Sequence, residues 1–155
     1  MRTVLTIVVE PIRLPQFIKD SEQLLRDHYV ELSVDKDAHP LDPDWGTYEK
    51  LYDAGALDII AAYDGEKMVG YSLSIFIPRN LHYPFAYVQN DVLFVARDHR
   101  QGGTAGRLMR MTKNWAKVKG AAQVLWHAKE GSELHRMLDS RSRFKLRDII
   151  YSEDI

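Results

Sequence analysis

Runs of apolar, β-branched residues alternate along the chain with stretches whose apolar positions recur every three or four residues. Thr3–Val9 (TVLTIVV) is of the first kind and predicts a strand, closed by Pro11. Leu14, Phe17, Ile18, Leu24, Leu25, His28, Tyr29 and Leu32 then follow a helical period, which predicts a helix from about Pro15 to Ser33. Pro15 suits a first turn, where its missing N–H is not needed. Asp35–Pro43 is polar, carries two prolines and reads as a loop. Trp45, Tyr48, Leu51 and Tyr52 predict a second, shorter helix with Gly55 at its C-cap.

Leu57–Tyr63 and Met68–Pro78 are β-rich runs joined across Asp64–Gly65, a hairpin signal. His82, Tyr83 and Pro84 make a loop, and Phe85–Val95 is the next strand. The following helix places Leu108, Met111, Thr112, Trp115 and Val118 on one face, with Arg107, Arg110, Lys113, Asn114 and Lys117 around the others, and ends at Gly120. Gln123–His127 is a short strand, Leu134, Met137 and Leu138 mark a short helix, and Phe144–Tyr151 is a final strand. The predicted order is β-α-α-β-β-β-α-β-α-β, an α/β domain (α+β, mixed sheet). Gln123–Ala128 should lie parallel to Phe85–Val95, because a helical crossover joins them. No composition shift marks a boundary, so one domain over 1–155 is expected.

Length and composition narrow the chemistry. The 155 residues suffice for a buried core, and a formal net charge of −1 speaks against a nucleic-acid-binding protein. There is no cysteine, so thiolate metal sites, disulfides and cysteine nucleophiles are excluded. Six scattered histidines show no ligand spacing, and no metal is expected. Met1–Glu10 lacks the basic and apolar regions of a signal peptide, and no window reaches transmembrane length; no membrane partner and a cytoplasmic location are the expectation.

The most informative stretch is Arg100–Gln101–Gly102–Gly103–Thr104–Ala105–Gly106, between an apolar strand and a helix. A strand, a glycine-rich turn and a helix in that order aim backbone N–H groups and a helix N-terminus at one place, an anion-binding device. No Gly–Lys–Ser/Thr follows, so it is not a Walker A loop, and no Gly–x–Gly–x–x–Gly opens the domain as in a dinucleotide fold.

With Leu93–Phe94–Val95 before it and Gly106–Arg107–Leu108–Met109 after it, Arg100–Ala105 resembles the Gln/Arg–x–x–Gly–x–Gly/Ala signature of the GCN5-related N-acetyltransferase (GNAT) superfamily. The element order resembles that family over nearly the whole chain. The resemblance implies acetyl-CoA as cosubstrate, with its pyrophosphate on Gln101, Gly102, Gly103, Thr104, Ala105 and Gly106, assisted by Arg100 and Arg107. It further implies that the pantetheine arm enters between Phe85–Val95 and Gln123–His127, held by backbone near Leu93 and Val95. The reaction implied is N-acetyl transfer to a primary amine, small molecule or protein, by direct attack in a ternary complex.

Such a reaction needs a base for the amine and a donor for the oxyanion. By the two-residue period Leu93, Asp91 and Gln89 share one strand face. Gln89 falls near a position where some family members carry a glutamate, and Asp91 is the nearest group able to take a proton. Asp91 has the alternative role of pairing with a neighbour or capping a bulge. The family's tyrosine acid falls on Leu138 or Asp139, and Arg143 replaces the glycine of the family's Gly–Phe pair. His127, at the end of its strand, is a further catalytic candidate. Tyr29 and Tyr83 are candidates for the acceptor side, with His28 and His82 beside them. Asp35, Asp37, Asp42, Asp44 and Glu49 form an acidic stretch suited to a cationic acceptor, or else a solvated loop face. Arg97, Arg100, Arg107 and Arg110 fit a nucleotide phosphate, and Arg141–Arg147 extends the basic character. The alternatives are an inactive acyl-CoA-binding or protein-interaction module and a nucleic-acid-associated protein. Homodimerisation stays open.

Overall fold

The computed structural model describes residues 6–155. Strands β1 (Val8–Pro11), β2 (Leu57–Asp64), β3 (Lys67–Ile77), β4 (Tyr87–Val95) and β5 (Gln123–Trp126) form one sheet in sequence order. The first four are antiparallel, and β5 runs parallel to β4. The strand expected at Thr3–Val9 overlaps β1 only at Val8 and Val9; β1 runs on to Pro11, and residues 3–5 of the expected strand lie outside the described residues.

β2 and β3 are buried on both faces, which is why their sequences read as near-continuous apolar runs. Ile59, Ala61, Tyr71, Leu73 and Phe94 face one layer, and Ile60, Ala62, Val69, Leu93 and Val95 face the other. Helices α1 (Leu14–Asp20), α2 (Glu22–Leu32) and α3 (Trp45–Asp53) cover the first face, with Leu14, Phe17 and Leu24 buried against it. Helices α4 (Thr104–Val118) and α5 (Glu133–Asp139) cover the second through Leu108, Met109, Leu134 and Met137. The hairpin turn is Gly65–Glu66, one residue later than expected, since Asp64 still pairs with Lys67.

Two expectations need correction. The helix predicted from Pro15 to Ser33 is two helices meeting at Ser21. The apolar series itself skips from Ile18 to Leu24, and the small, wholly buried Ser21 fills that gap. The strand predicted at Phe144–Tyr151 does not form: residues after α5 take no regular structure. Phe144 packs on the α4 side, but Leu146, Ile149, Ile150 and Tyr151 are exposed. β-propensity marks a side chain that suits a pleated surface; without a ladder partner it makes no strand.

Candidate functional site

β4 is paired on two sides for only part of its length. With β3 it pairs as far as Val95, but with β5 only over Tyr87–Asn90, ending at Asn90 opposite Trp126. β5 is four residues long, so Asp91–Val95 has no strand partner on the β5 side, where the two strands part.

A bulge sits at the same point. Leu73 opposes Val92 and Ser74 opposes Asn90, which leaves Asp91 as the extra residue, exposed to solvent. The insertion shifts the strand's phase. Gln89 opposes Ile75 and shares the α1–α3 face with Val92 and Phe94, whereas Leu93 faces α4. The expectation that Gln89, Asp91 and Leu93 line one face is therefore overturned: one extra residue reverses the alternation.

Asn90 secures the bulge. Wholly buried, it shares its side-chain N–H groups among Ser72 Oγ (2.9 Å), Ser74 Oγ (3.0 Å), Leu73 O (3.2 Å) and Val92 O (3.3 Å). Ser72 Oγ in turn lies 2.8 Å from Thr112 Oγ1 on α4. Nothing in the residue pattern singles out Asn90, which lies between Gln89 and Asp91 in the polar middle of an otherwise apolar strand.

Past Val95 the chain makes one 3₁₀ turn, Arg97–His99, and enters the glycine turn. Gly102 (φ +98°) and Gly103 (φ +80°) hold left-handed backbone that a side chain would strain. Gly103 caps α4 without offering a side-chain acceptor, so the first helical N–H groups have no capping partner. A Cβ placed on Gly102, Gly103 or Gly106 would meet no atom within 4 Å. The glycines thus leave room for something outside the protein, next to unsatisfied N–H donors at a helix start.

The flanking arginines serve the protein itself. Arg100 Nε donates to Val95 O (2.9 Å), and its guanidinium meets Glu31 of α2 (2.7 Å), Glu133 of α5 (3.3 Å) and the Phe94 ring (5.4 Å to the centroid). Hydrogen bonding from Arg100 holds the Glu31 carboxyl below its ordinary range. Arg107 donates to Ile7 O (2.7 Å) ahead of β1. Both side chains are engaged within the protein.

On the α1–α3 face, beside the bulge, lies a cleft of 350 Å³ between α2, the loop after it and α3. Leu25, Leu41, Tyr48, Leu73 and Val92 give it apolar walls. Tyr29 lines it and steadies the loop, its hydroxyl donating to Lys36 O and His39 O, both at 2.9 Å. His28 stacks on Phe94 (centroids 4.4 Å apart), with Nδ1 2.6 Å from Tyr71 Oη. Burial lowers the His28 pKa to about 4 and raises that of Tyr71, so the histidine is neutral and the phenol keeps its proton to donate. Burial, and then the Asp91 carboxylate, push Tyr48 up. A more open hollow, formed by Ser33, Asp35, Lys36, Asp37 and Ala38, borders none of the strands.

The remaining expected residues scatter. His127 is half-buried just beyond β5, where the strands part. Asp139 is exposed at the end of α5 and lies 3.3 Å from His135 Nε2, so it does not stand in for the family's tyrosine inside the cleft. Tyr83 is exposed and stacked on Phe85 in the loop before β4, and it does not line the cleft. Among the described residues no group of three or more histidines or carboxylates could hold a metal ion, and no helix is long and apolar enough to cross a membrane.

Residues 21–137 match the model of the Acetyltransferase (GNAT) family. A search of curated protein sequences found no match. Several solved structures share the fold at low identity. An aminoglycoside acetyltransferase from an uncultured soil metagenomic sample is 19% identical, with TM-score 0.72 and 97% of each chain covered. The ribosomal-protein-alanine N-acetyltransferase of Brucella melitensis biovar Abortus 2308 is 19% identical, with TM-score 0.67 and 97% of this chain and 98% of that one covered. The glucosamine-6-phosphate N-acetyltransferase of Arabidopsis thaliana is 11% identical, with TM-score 0.68 and coverage of 96% and 99%.

Proposed function

The chain belongs to the acetyltransferase (GNAT) family, and on that premise we propose that it moves an acetyl group from acetyl-CoA to a primary amine bound beside Asp91. The observation that carries this reading is the stretch from the bulge to α4. Val92, beside the bulge, lines the cleft, the segment after Asn90 has no strand partner on the β5 side, and the start of α4 has N–H groups without a side-chain cap.

Acetyl-CoA supplies the activated thioester. The turn from Gln101 to Gly106 would hold its diphosphate on backbone N–H groups, favoured by the α4 dipole. The β5-side edge of β4 near Leu93 and Val95 would pair with the amide-bearing arm and align the thioester along the strand. Alignment of the two reactants replaces a bimolecular encounter by a local one. The amine must attack as the free base. Asp91, exposed at the bulge, takes its proton directly or through one water. Nitrogen bonds to the acetyl carbon, the carbon–sulfur bond breaks, and the thiolate departs. A thiolate is a good leaving group, so the lack of a tyrosine in α5 does not block the reaction.

A second reading has a specific observation in its favour: Gln89 cannot take a proton, and Asp139 is exposed beside His135, so the fold could bind acyl-CoA without turnover. Calorimetry with acetyl-CoA, on wild type and Gly103→Glu, tests the turn, and thiol release with a panel of amines tests turnover. Micromolar binding lost in the variant, with thiol release by wild type, supports the transferase. Binding without release on any amine supports the second reading, and no binding by wild type refutes both.

A further inference from the structure

We infer that the acceptor is a small monoamine with an apolar, aryl-sized body, seated in the cleft between α2, the loop 33–44 and α3. This rests on the acyl-transfer reading and adds the substrate class to it.

The first observation is charge. The acidic stretch from Asp35 to Glu49 invites a polycation, yet the structure disperses it. Asp44 is occupied as the N-cap of α3, accepting from Thr47 N at 3.1 Å and Thr47 Oγ1 at 2.5 Å. Asp35 and Asp37 border the outer hollow. Glu31 is bound to Arg100 and Arg97. Asp42 is the one carboxylate lining the cleft, and Asp91 is exposed next to Val92, which lines its strand side. Two carboxylates suit one ammonium group that is held by one and deprotonated by the other. They do not match the several charges of a polyamine or an aminoglycoside.

The second observation is the wall. Leu25, Leu41, Tyr48, Leu73 and Val92 offer apolar and aromatic surface, which an apolar body buries favourably. His28 adds no charge to repel a cation, because it is neutral. The cavity of 350 Å³ is near the small end of ligand pockets, which run from about 300 to 1,000 Å³.

The third observation is that the site is preformed. Tyr29 ties the loop's carbonyls at two points, and the His28–Tyr71–Phe94 contacts fix the floor. A preformed apolar pocket loses little on binding a rigid ring.

The test begins with calorimetry of acetyl-CoA on wild type. Thiol release is then compared for 2-phenylethylamine, tryptamine, spermidine, kanamycin and a lysine-bearing peptide. The expected result is a kcat/KM at least tenfold higher for the two aryl monoamines than for the other three. Leu41→Arg, at the exposed lip of the cleft, should lower that value at least tenfold while leaving acetyl-CoA affinity unchanged. Leu41→Ser should give a smaller loss, and Asp42→Asn should raise KM several-fold with little change in kcat. Equal or higher kcat/KM for any polycation or the peptide overturns the inference and leaves the transferase reading standing. A Leu41→Arg variant indistinguishable from wild type likewise overturns the inference alone, whereas acetyl-CoA binding with no amine turned over overturns the inference and favours binding without turnover. Failure of wild type to bind acetyl-CoA removes the transferase reading, and the inference with it.

Discussion

Arg100 Nε donates to the carbonyl oxygen of Val95 at 2.9 Å, tying the last residue of β4 to the loop that leads into the glycine turn. The same guanidinium holds Glu31 at 2.7 Å, so one side chain joins the sheet, α2 and the turn. Arg100 therefore positions the backbone that leads into the glycine turn.

Removing that side chain should cost stability first. Arg100→Ala leaves Glu31 without its main partner and is expected to lower stability by about 1–3 kcal/mol. The pH dependence has a definite sign. Arg100 depresses the folded Glu31 pKa below its ordinary 4.5, so the pair stabilises the fold above that value. The contribution is lost as pH falls through the lower, folded pKa. Glu31→Gln should flatten this part of the acid limb in chemical denaturation between pH 5 and 3. An unchanged limb would show that Glu31 gains nothing from Arg100.

The glycines make a paired prediction. Gly103→Ala meets no neighbouring atom, so its penalty is the φ of +80° alone, about 1–2 kcal/mol. Relaxing that strain would turn the N–H groups, and acetyl-CoA affinity should fall at least tenfold. Gly106→Ala lies within α4 with open space at its Cβ, and should raise stability by up to about 1 kcal/mol. Thermal melts and calorimetry on the two variants check both signs.

Asp58 and His28 pull stability in opposite directions. Burial raises the Asp58 pKa to about 7, and its Oδ2 is buried without a partner. Between about pH 4 and 7 the unfolded carboxyl releases a proton that the folded one keeps. Stability therefore falls with pH, by at most about 1.4 kcal/mol per unit. His28, lowered to about 4, does the reverse between pH 4 and 6.5, because the unfolded imidazole binds a proton that the folded one refuses. Asp58→Asn should leave only the rising slope and make the protein more stable than wild type at pH 8. Urea midpoints at pH 4.5, 6.5 and 8 would show it; parallel curves for the two proteins would contradict it.

Asp91 and Asp139 separate catalysis from surface charge. Asp91→Asn alters an exposed bulge residue and should change stability by less than about 0.5 kcal/mol. Its kcat should fall about a hundredfold or more, as expected when a general base is lost. Asp139→Asn, on the outer end of α5, should leave kcat and KM alone. Steady-state thiol release on the two variants decides between them.

Local chemistry was legible in the residues. The helix start after Gly102–Gly103 and the parallel β4–β5 pair stand where the pattern placed them, and the hairpin turn falls one residue later, at Gly65–Glu66. The glycine turn was legible for the same reason, because positive φ and a helix N-terminus are local properties. The bulge at Asp91 was not, since it is a register shift between β4 and β3 and neither strand alone records it. Nor could the pattern show that Arg100 is claimed by Glu31, which is 69 residues away. The acidic loop read as one patch along the chain, and folding divided it among a helix cap, an outer hollow and the cleft. Phe144–Tyr151 had strand propensity but found no ladder. Thus the sequence by itself determined most of the elements and the left-handed glycine turn before α4, because those follow from backbone preference and apolar period. Tertiary structure alone decided which charges remain free at the site, because pairing partners are chosen by proximity in space.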